Sequence, residues 1–120
     1  MLLATGSAFA QYARSEGVFV SPQLTVRTVL LDRSQGVAAA SITVAMDGCS
    51  GSIAGMGSLA NRQLSFSSYE KTPGGAFCKV SITFDREWKK VQVSDNGQCT
   101  AFHGAACSWD QQTATRLKEP

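Results

Sequence analysis

The most constraining feature of the sequence is a two-residue alternation of apolar and polar side chains. Residues 77–85 read Phe-Cys-Lys-Val-Ser-Ile-Thr-Phe-Asp, in which every second side chain from Cys78 onward is apolar. The alternation recurs at 40–46, 64–68 and 91–93, and residues 24–31 are rich in β-branched side chains. This pattern is typical of strands with one buried and one solvated face. We find no comparable window with helical spacing, so the pattern predicts an all-β domain.

Short turn signals separate these segments. Glycine and asparagine tolerate positive φ, and proline and aspartate favour tight turns. Such residues stand at five places: Gln35-Gly36, Asp47-Gly48, Pro73-Gly74-Gly75, Asp85-Arg86-Glu87-Trp88 and Asp95-Asn96-Gly97. Strands joined by short turns indicate an antiparallel sheet. We therefore predict a small antiparallel β-barrel or sandwich of about seven strands, with a polar tail at 111–120 that could form a last strand, a short helix or neither.

Composition narrows the class of protein further. The chain has 120 residues, 43% of them hydrophobic and 17% charged, which is the size and composition of one globular domain rather than a disordered chain. The formal net charge of +2 is too small for an electrostatic nucleic-acid binder. No stretch approaches the roughly 20 apolar residues that a membrane-spanning helix needs.

The first ten residues have the features of a secretory signal. They are uncharged and end in Ala8-Phe9-Ala10 before Gln11, the small-x-small pattern that signal peptidase accepts. We interpret 1–10 as the end of a signal peptide and 11–120 as the exported β-domain. The alternative is a frayed or strand-forming N-terminus that is never cut.

Four cysteines agree with export to the periplasm or the outside of the cell. Cys49, Cys78, Cys99 and Cys107 are even in number, and an oxidising compartment converts such a set into two disulfides. Three pairings are possible, and we favour Cys49–Cys78 with Cys99–Cys107. A zinc site would require closely paired ligands such as C-x-x-C, which are absent, so no metal is predicted.

A glycine-rich segment at 51–57 resembles a nucleotide-binding loop only superficially. Residues 55–60 fit G-x-G-x-x-A, but a phosphate loop must be followed by a helix. Residues 61–64 look like a turn into a strand. We predict bends and bulges of a β-fold here, and no cofactor.

The hairpin turn after the Cys78 strand combines an aromatic with basic side chains. Trp88 lies among Arg86, Lys89 and Lys90, and tryptophan is enriched in binding hot spots. Such a patch could bind an anionic sugar, a phosphate or an acidic protein. The alternatives are that Trp88 belongs to the core and that the charges form a solvated turn.

A second candidate site lies between the last two cysteines. It contains Phe102 and His103, the only histidine. His103 could act as a recognition group or a general base, but general acid–base catalysis usually needs a second positioned group, and no carboxylate stands at a spacing that implies one. We predict no catalytic residue. Trp109 is expected to pack against a disulfide or cover one end of the barrel.

Three segments together resemble small exported β-proteins of Gram-negative bacteria. They are Asp-Gly-Cys-Ser-Gly-Ser-Ile-Ala-Gly at 47–55, Phe-Cys-Lys-Val-Ser-Ile-Thr-Phe at 77–84, and 99–109 with its C-x-x-x-H-G-x-x-C-S-W pattern. The chain is broadly similar to the periplasmic lysozyme inhibitors among such proteins. Their Ser-Gly-x-x-Tyr loop is not matched, because residues 50–53 read Ser-Gly-Ser-Ile. The resemblance thus implies fold and compartment, and it assigns no inhibitory residue.

These observations predict an exported, non-catalytic binding protein. It would act through a surface on a protein or glycan partner in the cell envelope, and inhibition of a cell-wall hydrolase such as lysozyme is one form of that function. The alternatives are a small hydrolase that uses His103 with a carboxylate, and a structural envelope protein. The oligomeric state stays open.

Overall fold

The alternating segments close into one antiparallel β-barrel. A computed structural model describes residues 12–118; the predicted signal segment 1–10 lies outside this range. Neighbours in the chain are neighbours in the barrel, and the last strand pairs with the first. The strands are β1 (Gly17–Val20), β2 (Leu24–Asp32), β3 (Val37–Met46), β4 (Cys49–Ala60), β5 (Gln63–Lys71), β6 (Phe77–Phe84), β7 (Lys90–Asp95) and β8 (Thr113–Arg116). The all-β prediction is confirmed, and the architecture is a closed barrel.

The core is the interior of the barrel, filled by every second side chain. In β6, Cys78, Val80, Ile82 and Phe84 are buried while Lys79 and its alternate neighbours are partly or fully exposed. The same alternation runs along β2, β3 and β5. Burial of these side chains supplies the main driving force for folding.

The structure has eight strands where about seven were predicted, and the glycine-rich segment, expected to form bends and bulges, lies in the long strand β4. Three glycines of β4 lie where the interior has no room for a side chain. A Cβ atom on Gly51 would lie 2.4 Å from the Phe102 carbonyl oxygen, and one on Gly57 would lie 1.7 Å from that of Ser65. Gly55 similarly faces the Phe66 ring. The glycines therefore permit close packing across the barrel rather than bends.

Both disulfides form, but the favoured pairing was wrong. Cys49 is bonded to Cys107 and Cys78 to Cys99, with Cα–Cα distances of 6.0 and 4.8 Å. The β6–β7 hairpin explains the second bond, since the Asn96 N–H donates to the Lys79 carbonyl and so returns the chain to the start of β6. The segment between Cys99 and Cys107 is thus tied to two different strands rather than closed on itself.

The two ends of the barrel are closed differently. The turns 33–36, 61–62 and 85–89 share one end, where the Trp88 ring packs on Phe84 at 5.1 Å between centroids. At the other end a one-turn helix, α1 (Thr100–His103), covers the interior, and Trp109 is fully buried with its ring against His103. Within residues 12–118, no helix is long and apolar enough to cross a membrane.

Candidate functional site

The barrel wall is incomplete between β4 and β5. The ladder that joins them covers only four residue pairs, from Gly57↔Phe66 to Ala60↔Gln63. On its other side β4 is paired with β3 from Ser58 to Cys49. The first half of β4 therefore has a strand partner on one side only.

The two turns that flank β4 determine which of its backbone groups face the gap. Each turn, 47–48 and 61–62, has two residues, so the pair that closes it is a hydrogen-bonded pair. Such pairs recur at every second residue. Odd-numbered residues of β4 therefore bond to β3, while even-numbered residues point their N–H and C=O groups toward β5. Ser52 and Ala54 direct these groups into the gap, where no strand of the described chain faces them.

A bulge in β5 opens the gap. The register of β5 against β6 shifts between Ser67 and Lys71. Ser68 is buried in this bulge; its hydroxyl accepts a hydrogen bond from the Cys78 N–H (3.1 Å) and donates one to the Glu70 carbonyl (2.7 Å). A bulge bends the strand that carries it, so the second half of β5 follows β6 and leaves β4.

The gap is part of an open groove of about 830 Å³. Ser41 and Thr43 of β3 and Ser52 of β4 line it with hydroxyl groups. Ile53 also lines it although its side chain points into the core, so the groove cuts into the barrel wall. Glu70 and Lys71 of β5 also line the groove, which thus combines hydroxyl, charged and apolar side chains with an unpaired strand edge.

Two aromatic side chains border the groove. Tyr69, from the bulged part of β5, is 95% exposed. Phe102, on α1, is partly buried and packs against the core while one side faces the groove. Tyrosine is enriched among binding hot spots, so an exposed ring at the border of a groove can anchor a partner. Phe102 was predicted from the sequence; Tyr69 was missed, although the inward alternation of Leu64, Phe66 and Ser68 places it outward.

His103, next to Phe102 on α1, is buried and does not line the groove. It is 8% exposed, and its ring packs edge-on against Trp109 with 4.7 Å between centroids. The Nδ1–H group donates to the Gly104 carbonyl (2.6 Å). Among residues 12–118 no carboxylate lies within 4.0 Å of the ring, so the pair that the hydrolase hypothesis requires is not formed there. In this geometry His103 is a packing residue that holds α1 in place.

The predicted basic patch does not exist as one surface. Trp88 is 5% exposed and belongs to the core, which contradicts its role as a surface contact and agrees with the alternative. Arg86 lines a separate cleft at the opposite end of the barrel from α1. Lys90 is exposed on β7, and Lys89 lines a cavity beside β8. Arg86 and the buried Trp88 line the same cleft, whereas Lys89 and Lys90 lie outside it.

The described residues 12–118 also contain no cluster of three or more His, Cys, Asp or Glu side chains that could hold a metal ion.

Comparison with protein-family models, with curated proteins and with solved structures finds no match for the chain.

Proposed function

We propose that the protein is an exported, non-catalytic binding protein that holds an extended polypeptide segment of a partner in the groove between β4 and β5. One observation carries the proposal: the unpaired edge of β4 at Ser52 and Ala54 opens into a groove beside the exposed Tyr69.

An extended peptide meets the chemical demands of this groove. It can add a strand to the free edge, with main-chain hydrogen bonds to Ser52 and Ala54 and side chains directed alternately into and out of the groove. Tyr69 and Phe102 provide apolar contact area at its border. The hydroxyls of Ser41 and Thr43, on the other side of β4, can contact long polar side chains of the peptide that reach across β4.

The compartment supports an envelope partner. Two disulfides are consistent with an oxidising compartment, and we place the protein in the periplasm or outside the cell. A cell-wall hydrolase of the lysozyme type is the first partner to assay, because some small periplasmic β-barrels of similar size are lysozyme inhibitors.

The test removes one backbone donor. Ten-residue peptides are selected from a display library on the wild-type protein. Their affinities for the variants Ala54→Pro and Ala54→Ser are then compared with their affinity for the wild type. Proline lacks the N–H that faces the groove, and it leaves the β3–β4 ladder intact because that ladder uses odd-numbered residues. We expect at least a tenfold loss for Ala54→Pro and less than twofold for Ala54→Ser.

Two controls keep the result interpretable. Near-ultraviolet circular dichroism reports whether Ala54→Pro retains the barrel, and Tyr69→Ser tests the groove without a backbone change. Equal peptide affinity for all variants contradicts the proposal. If the protein binds soluble chitin oligosaccharides and no peptide, the ligand of the groove is a glycan and the peptide proposal is wrong. The residual activity of c-type lysozyme is measured in parallel.

A further inference from the structure

A second cleft, of about 600 Å³, lies at the opposite end of the barrel from α1. Arg14, Arg62 and Arg86 line it together with Tyr12 and Asn61. The three arginines come from the segment before β1 and from two different turns, so only the fold brings them together. Their convergence is independent of the peptide groove and goes beyond the proposed function.

Two of the guanidinium groups are held in place by neutral acceptors. Arg14 Nη2 donates to the Glu87 carbonyl (3.2 Å), and Arg62 Nη1 donates to the Phe84 carbonyl (3.1 Å). Arg86 lies in sequence between the two acceptor residues, Phe84 at the end of β6 and Glu87 in the following turn. Each guanidinium has five N–H donors, so most of the donors of Arg14 and Arg62 remain for a ligand.

The positive charges of the cleft are not neutralised within the described chain. The ion pair found among residues 12–118 joins Arg33 to Glu16, and no carboxylate lies within 4.0 Å of Arg14, Arg62 or Arg86. Glu87 is exposed and makes no ion pair in this part of the chain. Like charges that converge without partners favour binding of an anion.

Three residues that line the cleft have a left-handed backbone conformation. Asn61 and Arg62 have φ of 51° and 61°, the left-handed values of a type I′ turn, in which Asn followed by Gly is preferred. Arg62 therefore stands where glycine is the least strained residue. Trp88, which also lines the cleft, has φ of 59°. Strained positions of this kind concentrate at functional sites.

We propose that this cleft binds a dianionic phosphate group. Arginine presents planar pairs of N–H donors that match phosphate oxygens, and three guanidinium groups suit a dianion better than the single charge of a carboxylate. The phosphate can be free, carried on a small organic molecule, or part of a lipid headgroup.

The test compares arginines of the cleft with one outside it. Titration calorimetry with inorganic phosphate and with glycerol 3-phosphate measures the soluble sources. Co-sedimentation with phosphatidylcholine vesicles, with and without phosphatidic acid, measures the lipid source. Arg86→Gln and Arg62→Gly are the test variants, and Arg33→Gln removes one charge at the same end of the barrel but outside the cleft.

We expect Arg86→Gln and Arg62→Gly each to weaken phosphate binding at least tenfold, and Arg33→Gln to change it less than twofold. Arg62→Gly should keep or raise the melting temperature, because glycine suits the turn. Arg86 is exposed, so its variant tests the cleft even if Arg62→Gly alters folding. The proposal is overturned if the wild type binds none of the phosphate sources, or if Arg33→Gln weakens binding as much as Arg86→Gln does.

Discussion

The exposed Tyr69 side chain contributes little to folding and is available to a partner. Its ring is 95% exposed at the border of the groove, so folding gains almost nothing from it, whereas a partner can bury it. We predict that Tyr69→Ser weakens the selected peptides at least tenfold and changes the free energy of unfolding by less than about 0.5 kcal/mol.

Val29 provides a matched control for Tyr69. It is 53% exposed on the outer face of β2 and does not line the groove. Val29→Ser should leave peptide affinity unchanged. Equal losses from both variants would show that general surface hydrophobicity, rather than the groove, determines binding.

Asp85 makes the stability of the turn 85–89 depend on pH. Desolvation raises the pKa of Asp85, but hydrogen bonds from the Lys90 and Lys89 N–H groups and the charge of Lys90 outweigh it. The pKa therefore lies below its ordinary value of 3.8. A lowered folded-state pKa stabilises the protein above the unfolded-state value, and this stability is lost as the pH falls through the folded-state value.

Asp85→Asn removes this titration and keeps an oxygen acceptor for the two N–H groups. We predict that the wild type loses more stability than Asp85→Asn when the pH is lowered from about 5 to below about 3, as measured by urea denaturation. Parallel curves for the two proteins would contradict the assigned role of the carboxylate.

At the scale of elements, β4 and α1 depend on each other through Gly51. A Cβ atom there would lie 2.4 Å from both the Phe102 carbonyl oxygen and the His103 Cα atom, and backbone atoms cannot rotate away. Gly51→Ala should cost about 1–3 kcal/mol, measured by urea denaturation. Gly74→Ala is the control, because its nearest neighbour would be 3.9 Å away; equal effects would show that α1 does not pack on Gly51.

The same elements show what could be predicted from the sequence. Alternation identified β6 because its inward face carries apolar side chains throughout, and the turn residues marked its ends. It could not identify β4, whose inward face includes Gly51, Gly55 and Gly57; glycine has no side chain to reveal a face. The closeness of those glycines to α1 and β5 arises only once the barrel closes.

The features of the site that the sequence did not predict arise from contacts made only in the folded chain. Trp88 lies in a turn, which suggested exposure, but the fold places Phe84 beneath it. The arginine cleft joins Arg14 to Arg86, and no spacing in the sequence links these positions. The groove depends on a bulge whose key residue, Ser68, is an ordinary polar residue in sequence.

At the scale of the whole molecule, the two disulfides attach the α1 segment to the barrel wall. In the chain-entropy model, loops of 58 and 21 residues stabilise the fold by about 4 and 3.5 kcal/mol. Peptide mapping of the unreduced protein should recover Cys49 linked to Cys107 and Cys78 linked to Cys99. Recovery of a Cys99–Cys107 fragment would contradict a barrel whose end is covered by α1, because the α1 segment would then not be bonded to β4 and β6.

The central claim is that the wall of the barrel is open along one edge of β4, and it can be tested without a partner. Residue-resolved amide hydrogen exchange, followed by NMR, compares neighbouring residues of the same strand. The structure predicts slow exchange at Gly51, Ile53 and Gly55, whose N–H groups bond to β3, and fast exchange at Ser52 and Ala54, which face the groove. If Ser52 and Ala54 were as protected as Ile53, the β4–β5 ladder would be closed and the proposed peptide site would not exist.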